Sequence, residues 1–226
     1  MSAHPGVARS RTDAFLANPV DGAGSLDRSR GTSQSRARVF VCEGGQVGAP
    51  IEVRRLVRAE LSRVAEIDRT ERIDVIYEQR GTELTARRGN WTAPAWDPAG
   101  HGEHSVEAHR LALEHYLDGG GIALGAFSNG RLVGIGVVVS HLRPQIAQLA
   151  FLHVSQAFRA TGIGRRLCDE LDLIARDAGN SAIVVSATPS ENTVRFYLSR
   201  GYELTAQALP ELYEAEPEDV HMRKAL

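Results

Sequence analysis

A chain of 226 residues, 42% hydrophobic and 24% charged, can bury one sizeable core, which excludes a disordered or fibrous protein. Its formal charge of -2 excludes a whole-chain basic field of the kind that holds nucleic acid without regard to sequence. No apolar run reaches the roughly 18 residues of a bilayer crossing, and the N-terminus lacks a secretory signal's apolar stretch, so a cytoplasmic protein with no membrane partner is expected.

Residues 1–48 mix Ser, Gly, Arg, Asp and Ala without a period, and such a stretch cannot bury enough apolar area to offset its ordering entropy. They are expected to be a disordered tail ahead of one domain spanning 49–226. Ile51 to Arg54 alternates as a half-buried strand does, and Leu61, Val64 and Ile67 recur at helical spacing. Ile73, Ile76 and Tyr77 predict a second short helix, and residues 80–104, rich in Gly, Pro and Trp, read as an irregular insertion with one short strand near Leu84. Ser105 is a candidate N-cap for a helix that carries Leu111, Ala112 and His115 and stops at Gly119 to Gly121.

Two apolar runs, Ile122 to Phe127 and Leu132 to Val139, flank Asn129-Gly130, a strong hairpin signal. Ala147 to Val154 reads as a third strand; Ile163, Leu167, Leu171 and Ile174 mark one face of a helix reaching about Ala178. Ala182 to Ala187 is a continuous apolar run, the mark of a strand buried on both faces, so strand, helix and strand make one parallel crossover. A helix from about Ser190 to Arg200 and strand-like pieces at Tyr202 to Leu204 and Asp219 to Arg223 complete the chain. The fold class is therefore α/β in the broad sense, a mixed and mostly antiparallel sheet with one βαβ crossover and helices on both faces. Cys42 and Cys168 form neither a disulfide framework nor a metal-ligand pattern, and Cys168 sits by the apolar helix face as inert packing. No metal is expected, and Lys224 is the only lysine.

Arg159-Ala160-Thr161-Gly162-Ile163-Gly164-Arg165 stands between a strand and an amphipathic helix. A diphosphate needs several donors converging on a small volume, and the first-turn amides of a helix supply them together with the positive end of its dipole. Gly162 and Gly164 let the backbone approach the anion, and Arg159 and Arg165 add charge-assisted bonds. The loop has no Gly-Lys-Ser/Thr ending, which excludes the nucleotide P-loop, and its late position and missing third glycine exclude the dinucleotide fingerprint.

This stretch resembles the acetyl-CoA motif of the GNAT superfamily of N-acetyltransferases, Gln or Arg, x, x, Gly, x, Gly or Ala. Asn192, Phe196-Tyr197 and Gly201-Tyr202 match that family's later cofactor motif, and Asp219 to Met222 looks like its last strand. The resemblance covers about Ile51 to Leu226, least well in the insertion. It implies acetyl-CoA as co-substrate, direct transfer of the acetyl group to a primary amine of a small molecule or peptide, and a sheet whose strand ending Leu152-His153-Val154 splays from the strand at Ala182 to Ala187. It further implies that a backbone N–H at Val154 or a neighbour polarises the thioester carbonyl, that Asn192 bonds the pantetheine arm, and that Tyr197 is the general acid. Homodimers are common among such proteins, so a homodimer is one assembly to expect.

No carboxylate lies on the Ala147 to Val154 strand, where many members of that family carry one. The candidates for the general base are Glu78, His153, and His101 or His104. Tyr77, Trp91 and Trp96 are candidates for an acceptor wall or, equally, for a small satellite core that pins the insertion. The missing carboxylate motivates a competing reading, an acyl-CoA sensor or interaction module without turnover.

Overall fold

The computed structural model describes residues 38–40, 50–97, 100, 102 and 104–226, so most of the expected tail lies outside it. Arg38–Phe40 do not: they form strand β1, antiparallel to β2 (Ile51–Arg55), with Val39 opposite Glu52. The sheet therefore begins ahead of the boundary at residue 49. Three residues are too few to carry a readable period.

After β2, Arg58–Glu66 wind as a 3-10 helix that buries Leu61 and Val64, and Ile67 is buried just beyond it. Their spacing of three suits a helix in which residues i and i+3 eclipse, which a 3.6-residue helix does not do. The expected second helix is a strand instead. β3 (Glu71–Arg80) pairs antiparallel with β4 (Glu83–Ala93) in a separate two-stranded sheet. Ile73, Val75 and Tyr77 alternate with Arg72, Asp74 and the exposed Glu78, so the period is two; Ile76 beside Tyr77 mimics a helical step. The insertion expected at 80–104 is thus half hairpin.

Helix α1 (Val106–Asp118) starts as expected at Ser105, whose side chain accepts from the Ala108 N–H at 3.0 Å. β5 (Ile122–Ser128) and β6 (Arg131–Arg143) turn through Asn129 and Gly130 at φ 48° and 75°, the left-handed pair a two-residue hairpin demands. β7 (Ile146–Val154), helix α2 (Ile163–Asp177) and β8 (Ala182–Ala187) make the parallel crossover. Helix α3 (Glu191–Ser199), β9 (Glu203–Leu204), the short helix α4 (Pro210–Ala215) and β10 (Val220–Ala225) follow. Of these last four elements, α4 alone lacks a counterpart in the sequence reading, and at 6 residues it is too short to show a period.

The large sheet has strand order β1-β2-β5-β6-β7-β8-β10-β9, antiparallel everywhere except between β7 and β8. One face packs Val133, Leu149 and Ile183 against Ile163, Leu167 and Leu171 of α2 and Val194 of α3. The other packs Leu132, Ile135 and Phe151 against Leu61, Val64 and Leu113. Burial on both faces explains why β5 and β6 are almost continuously apolar, and each such Leu or Ile stabilises the fold by about 1.5–3 kcal/mol.

Candidate active site

The site begins where β7 and β8 part. They pair from Ile146 opposite Ala182 to Gln148 opposite Val184, and no further. Immediately afterwards β7 carries a bulge: Leu149 faces Val138 and Phe151 faces Val137, which leaves Ala150 as an extra residue. A bulge bends its strand and raises the local twist, so β7 turns away from β8 and a cleft of about 1000 Å³ opens between Leu149 to Val154 and Val185 to Thr188.

The cleft wall on the β7 side offers donors in a fixed pattern. Ser155 N–H reaches Val133 O at 2.9 Å on β6, and along an antiparallel ladder the donors alternate in direction. The N–H groups of Phe151 and His153 therefore face β6 while those of Leu152 and Val154 face the cleft. The Val154 carbonyl confirms the direction, accepting from Arg159 Nε at 3.2 Å on the cleft side.

At the end of the cleft stands the start of α2. Gly162 is its N-cap at φ 91°, a conformation that favours glycine, and Ala160 is also left-handed at φ 59°. The first hydrogen bond back into the loop is Arg166 N–H to Gly162 O at 2.9 Å. Among the described residues, no backbone carbonyl accepts from the amides of Ala160, Thr161, Gly162, Ile163, Gly164 or Arg165. These donors sit at the positive end of a 15-residue helix, and Ala160 to Gly162, Gly164 and Arg165 line the cleft. Arg165 is exposed and folds back over the turn, its guanidinium 3.6 Å from where a Cβ on Gly162 would stand. A Cβ on Gly164 would stand 3.4 Å from the Phe196 ring, so a side chain larger than a methyl there would press on α3.

Arg159 has different work. Besides the Val154 carbonyl, its guanidinium donates to Glu71 Oε2 at 3.1 Å and Arg69 O at 3.3 Å, and its N–H goes to Gln156 O. Its side chain thus ties the loop to the start of β3 rather than standing free for an anion. Asn192 joins the same knot, its Nδ2 donating to Glu71 Oε1 at 2.8 Å. Ser190, not Asn192, caps α3 by accepting from Thr193 N–H. Glu71 is therefore a clasp between the loop, α3 and the hairpin, and it is the one carboxylate among the described residues that line the cleft. Nothing in the sequence around Glu71 marks it, because its partners lie 88 and 121 residues away.

Tyr197 lines the cleft at 5% exposure, edge-on to Phe196 and Tyr202 with ring centroids 5.2 Å away in each case. Behind it, burial drives the Tyr202 phenol well above its ordinary pKa and pushes the Cys168 thiol up to about 12. Cys168 is inert packing, in keeping with its sequence position.

Other expected residues lie elsewhere. Glu78 is exposed on β3, paired with Arg87 at 2.6 Å and outside the cleft lining. Tyr77 packs against the main core, its N–H on Pro189 O at 2.8 Å, and the Trp91 ring fills the space where a side chain on Gly89 would stand; neither lines the cleft. Trp96 donates Nε1 to Ile67 O at 2.6 Å and meets His109 edge-on at 4.6 Å, the satellite core. His104 accepts at 3.2 Å from Arg69, a cleft residue, but does not itself line the cleft, whereas His153 does, 4.6 Å from the Phe151 ring centroid. His101 lies outside the described residues. No group of three or more His, Cys, Asp or Glu among the described residues is placed to hold a metal, and no described helix is long and apolar enough to cross a membrane.

The sequence profile described as the acetyltransferase (GNAT) domain matches residues 98–226. No curated protein sequence matches the chain. Among solved structures, nourseothricin acetyltransferase superposes with a TM-score of 0.57 at 16% identity, covering 77% of this chain and 98% of that one. The PaiA N-acetyltransferase of Thermoplasma acidophilum, in complex with coenzyme A, gives 0.52 at 18% identity over 78% and 99%. A Bacillus anthracis protein assigned as a streptothricin acetyltransferase, in complex with acetyl coenzyme A, gives 0.57 at 16% over 76% and 95%. At such identities the likeness is one of fold.

Proposed function

Because the chain belongs to the GNAT acetyltransferase family, and is thereby an acyltransferase of the N-acetyltransferase type, we propose that it moves the acetyl group of acetyl-CoA directly to a primary amine of a small molecule or peptide. The observation that carries this reading is the run of amides from Ala160 to Arg165 from which no backbone carbonyl among the described residues accepts, set at a helix start beside the gap between β7 and β8.

In this reading the amides and Arg165 hold the diphosphate, and the pantetheine arm lies along the cleft edge of β7. Arg159 and Asn192, joined through Glu71, keep loop, helix and hairpin in register around it. The Leu152 or Val154 N–H donates to the thioester carbonyl oxygen, and a single donor of that kind contributes about 10²–10³ in rate. The amine nitrogen forms its bond to the acetyl carbon as the carbon–sulfur bond breaks, the Tyr197 phenol gives its proton to the departing thiolate, and the phenolate regains a proton from the nitrogen that has become the amide. Glu78, Tyr77 and Trp91 have no part in these steps, since they stand outside the cleft.

Incubation with acetyl-CoA and a panel of amines tests this by thiol release and by the mass of the acetylated product. Release with at least one amine is expected, together with a kcat about 10²-fold lower for Tyr197→Phe at unchanged acetyl-CoA affinity. Tight binding of acetyl-CoA with no release on any amine would favour an acyl-CoA sensor, and an unaltered kcat in Tyr197→Phe would remove the phenol from the mechanism.

A further inference from the structure

Ser186 and His221 form a buried pair in the wall of the same cleft, and no step above uses it. They are cross-strand partners on β8 and β10, and Ser186 lines the cleft two residues past the last β7–β8 pairing. Ser186 Oγ lies 3.2 Å from His221 Nδ1, and His221 Nε2 lies 3.1 Å from the Glu216 carbonyl oxygen. A carbonyl only accepts, so Nε2 carries the ring hydrogen, and in the neutral imidazole Nδ1 is then the acceptor for the Ser186 hydroxyl. The His221 backbone is fixed as well: its main-chain N–H donates to Gln79 Oε1 at 2.7 Å, and Gln79 Nε2 donates to the His221 carbonyl at 3.2 Å. A serine whose proton points at a fixed basic nitrogen, on the wall where an amine must lose a proton, is built as a relay.

Resting on the acetyl-transfer reading above, we propose that Ser186 and His221 are the general base of the reaction, with Ser186 the contact to the amine. As the acceptor ammonium passes a proton to Ser186 Oγ, the hydroxyl proton moves to His221 Nδ1. The products are a neutral amine and an imidazolium, and the imidazolium returns its proton to solvent after transfer. No oxidant, metal or further reactant enters. The pair answers the absence of a carboxylate on β7, and it places the base on the opposite wall from the amides that polarise the carbonyl.

The surroundings keep the ring basic and uncharged at neutral pH. Burial lowers the His221 pKa below its ordinary value, and Asp219 just ahead of β10 and the Glu216 carbonyl after α4 pull it back upward. Neutral groups also meet the ring and its backbone: Ser186 of β8, Tyr213 of α4 with ring centroids 6.0 Å away, Gln79 of β3, and Thr205, whose hydroxyl donates to His221 O. The ring is therefore free base above its lowered pKa and unable to accept a proton below it.

The test is kcat against pH at saturating acetyl-CoA and amine for the wild type, Ser186→Ala and His221→Gln, with acetyl-CoA affinity and melting temperature measured alongside. The wild type should rise through a pKa below 6.5 and level off near neutrality. Both variants should lose about 10²-fold at pH 7, keep their acetyl-CoA affinity, and recover about tenfold per pH unit toward the amine's own pKa as the neutral amine forms unaided. A structural role for the pair would lower kcat evenly across pH, and that outcome, or an unchanged profile, overturns the relay. Should His221→Gln not fold, Ser186→Ala, which removes one oxygen, decides alone. A wild type that acetylates no amine ends both readings, whereas an active wild type with unshifted variants ends only this one.

Discussion

Gly162 carries the most consequence for its size. Its φ of 91° turns the chain into α2, and its missing side chain leaves the turn open under Arg165. Gly162→Glu adds strain, bulk and a negative charge at the proposed diphosphate position, so acetyl-CoA affinity should fall by about 10²-fold or more, near 3 kcal/mol, in calorimetry. A variant with wild-type affinity would place the diphosphate elsewhere. This glycine was legible in the sequence because the whole device is local: a strand, a Gly-x-Gly turn and an apolar helix face within one short segment. Arg159 was read only halfway for the opposite reason. Its charge is visible, but the Glu71 carboxylate and Arg69 carbonyl that engage it lie 88 and 90 residues upstream, and no local pattern announces them. Glu78 illustrates the same limit, since a carboxylate on a strand declares its face only once the partner strand, here with Arg87, is known.

At the scale of elements, α2 is bound to the last strand by an ion pair inside the core. Asp172 is 3% exposed, and Lys224 Nζ reaches its Oδ2 at 2.5 Å. Removing one partner of a buried pair leaves the other charged and unsolvated, so Lys224→Ala should cost about 3–5 kcal/mol in chemical denaturation. A loss below about 1 kcal/mol would mean the pair behaves as a surface contact. The only lysine of the chain thus has a structural use that its rarity alone did not disclose. The elements themselves were read well where the pattern was long: α1, α2, the β5–β6 hairpin and the β7–α2–β8 crossover all stand where their periods put them. The β3–β4 hairpin was misread because Ile76 breaks the alternation of Ile73, Val75 and Tyr77, and because the partner β4 is almost wholly exposed and so shows no apolar face. The bulge at Ala150 has no sequence mark either, because an extra unpaired residue shows only against the partner strand.

Over the whole molecule, one sheet makes the site by failing to stay closed. Strands buried on both faces hold β7 and β8 together at one end, the bulge parts them at the other, and the following helix start supplies donors at the mouth. In the proposed reading, cofactor, acceptor and proton path share one cleft, whose walls come from β3, β7, the loop, β8 and α3. Families read from motifs give the loop and Tyr197; the clasp at Glu71 and the Ser186–His221 pair emerge only when the chain is folded. The most direct measurement is a crystal structure of the protein with coenzyme A bound. The diphosphate should lie within hydrogen-bond distance of the amides between Ala160 and Arg165, with the pantetheine between β7 and β8; coenzyme A bound away from this turn, or amides closed onto the protein's own carbonyls, would contradict the account.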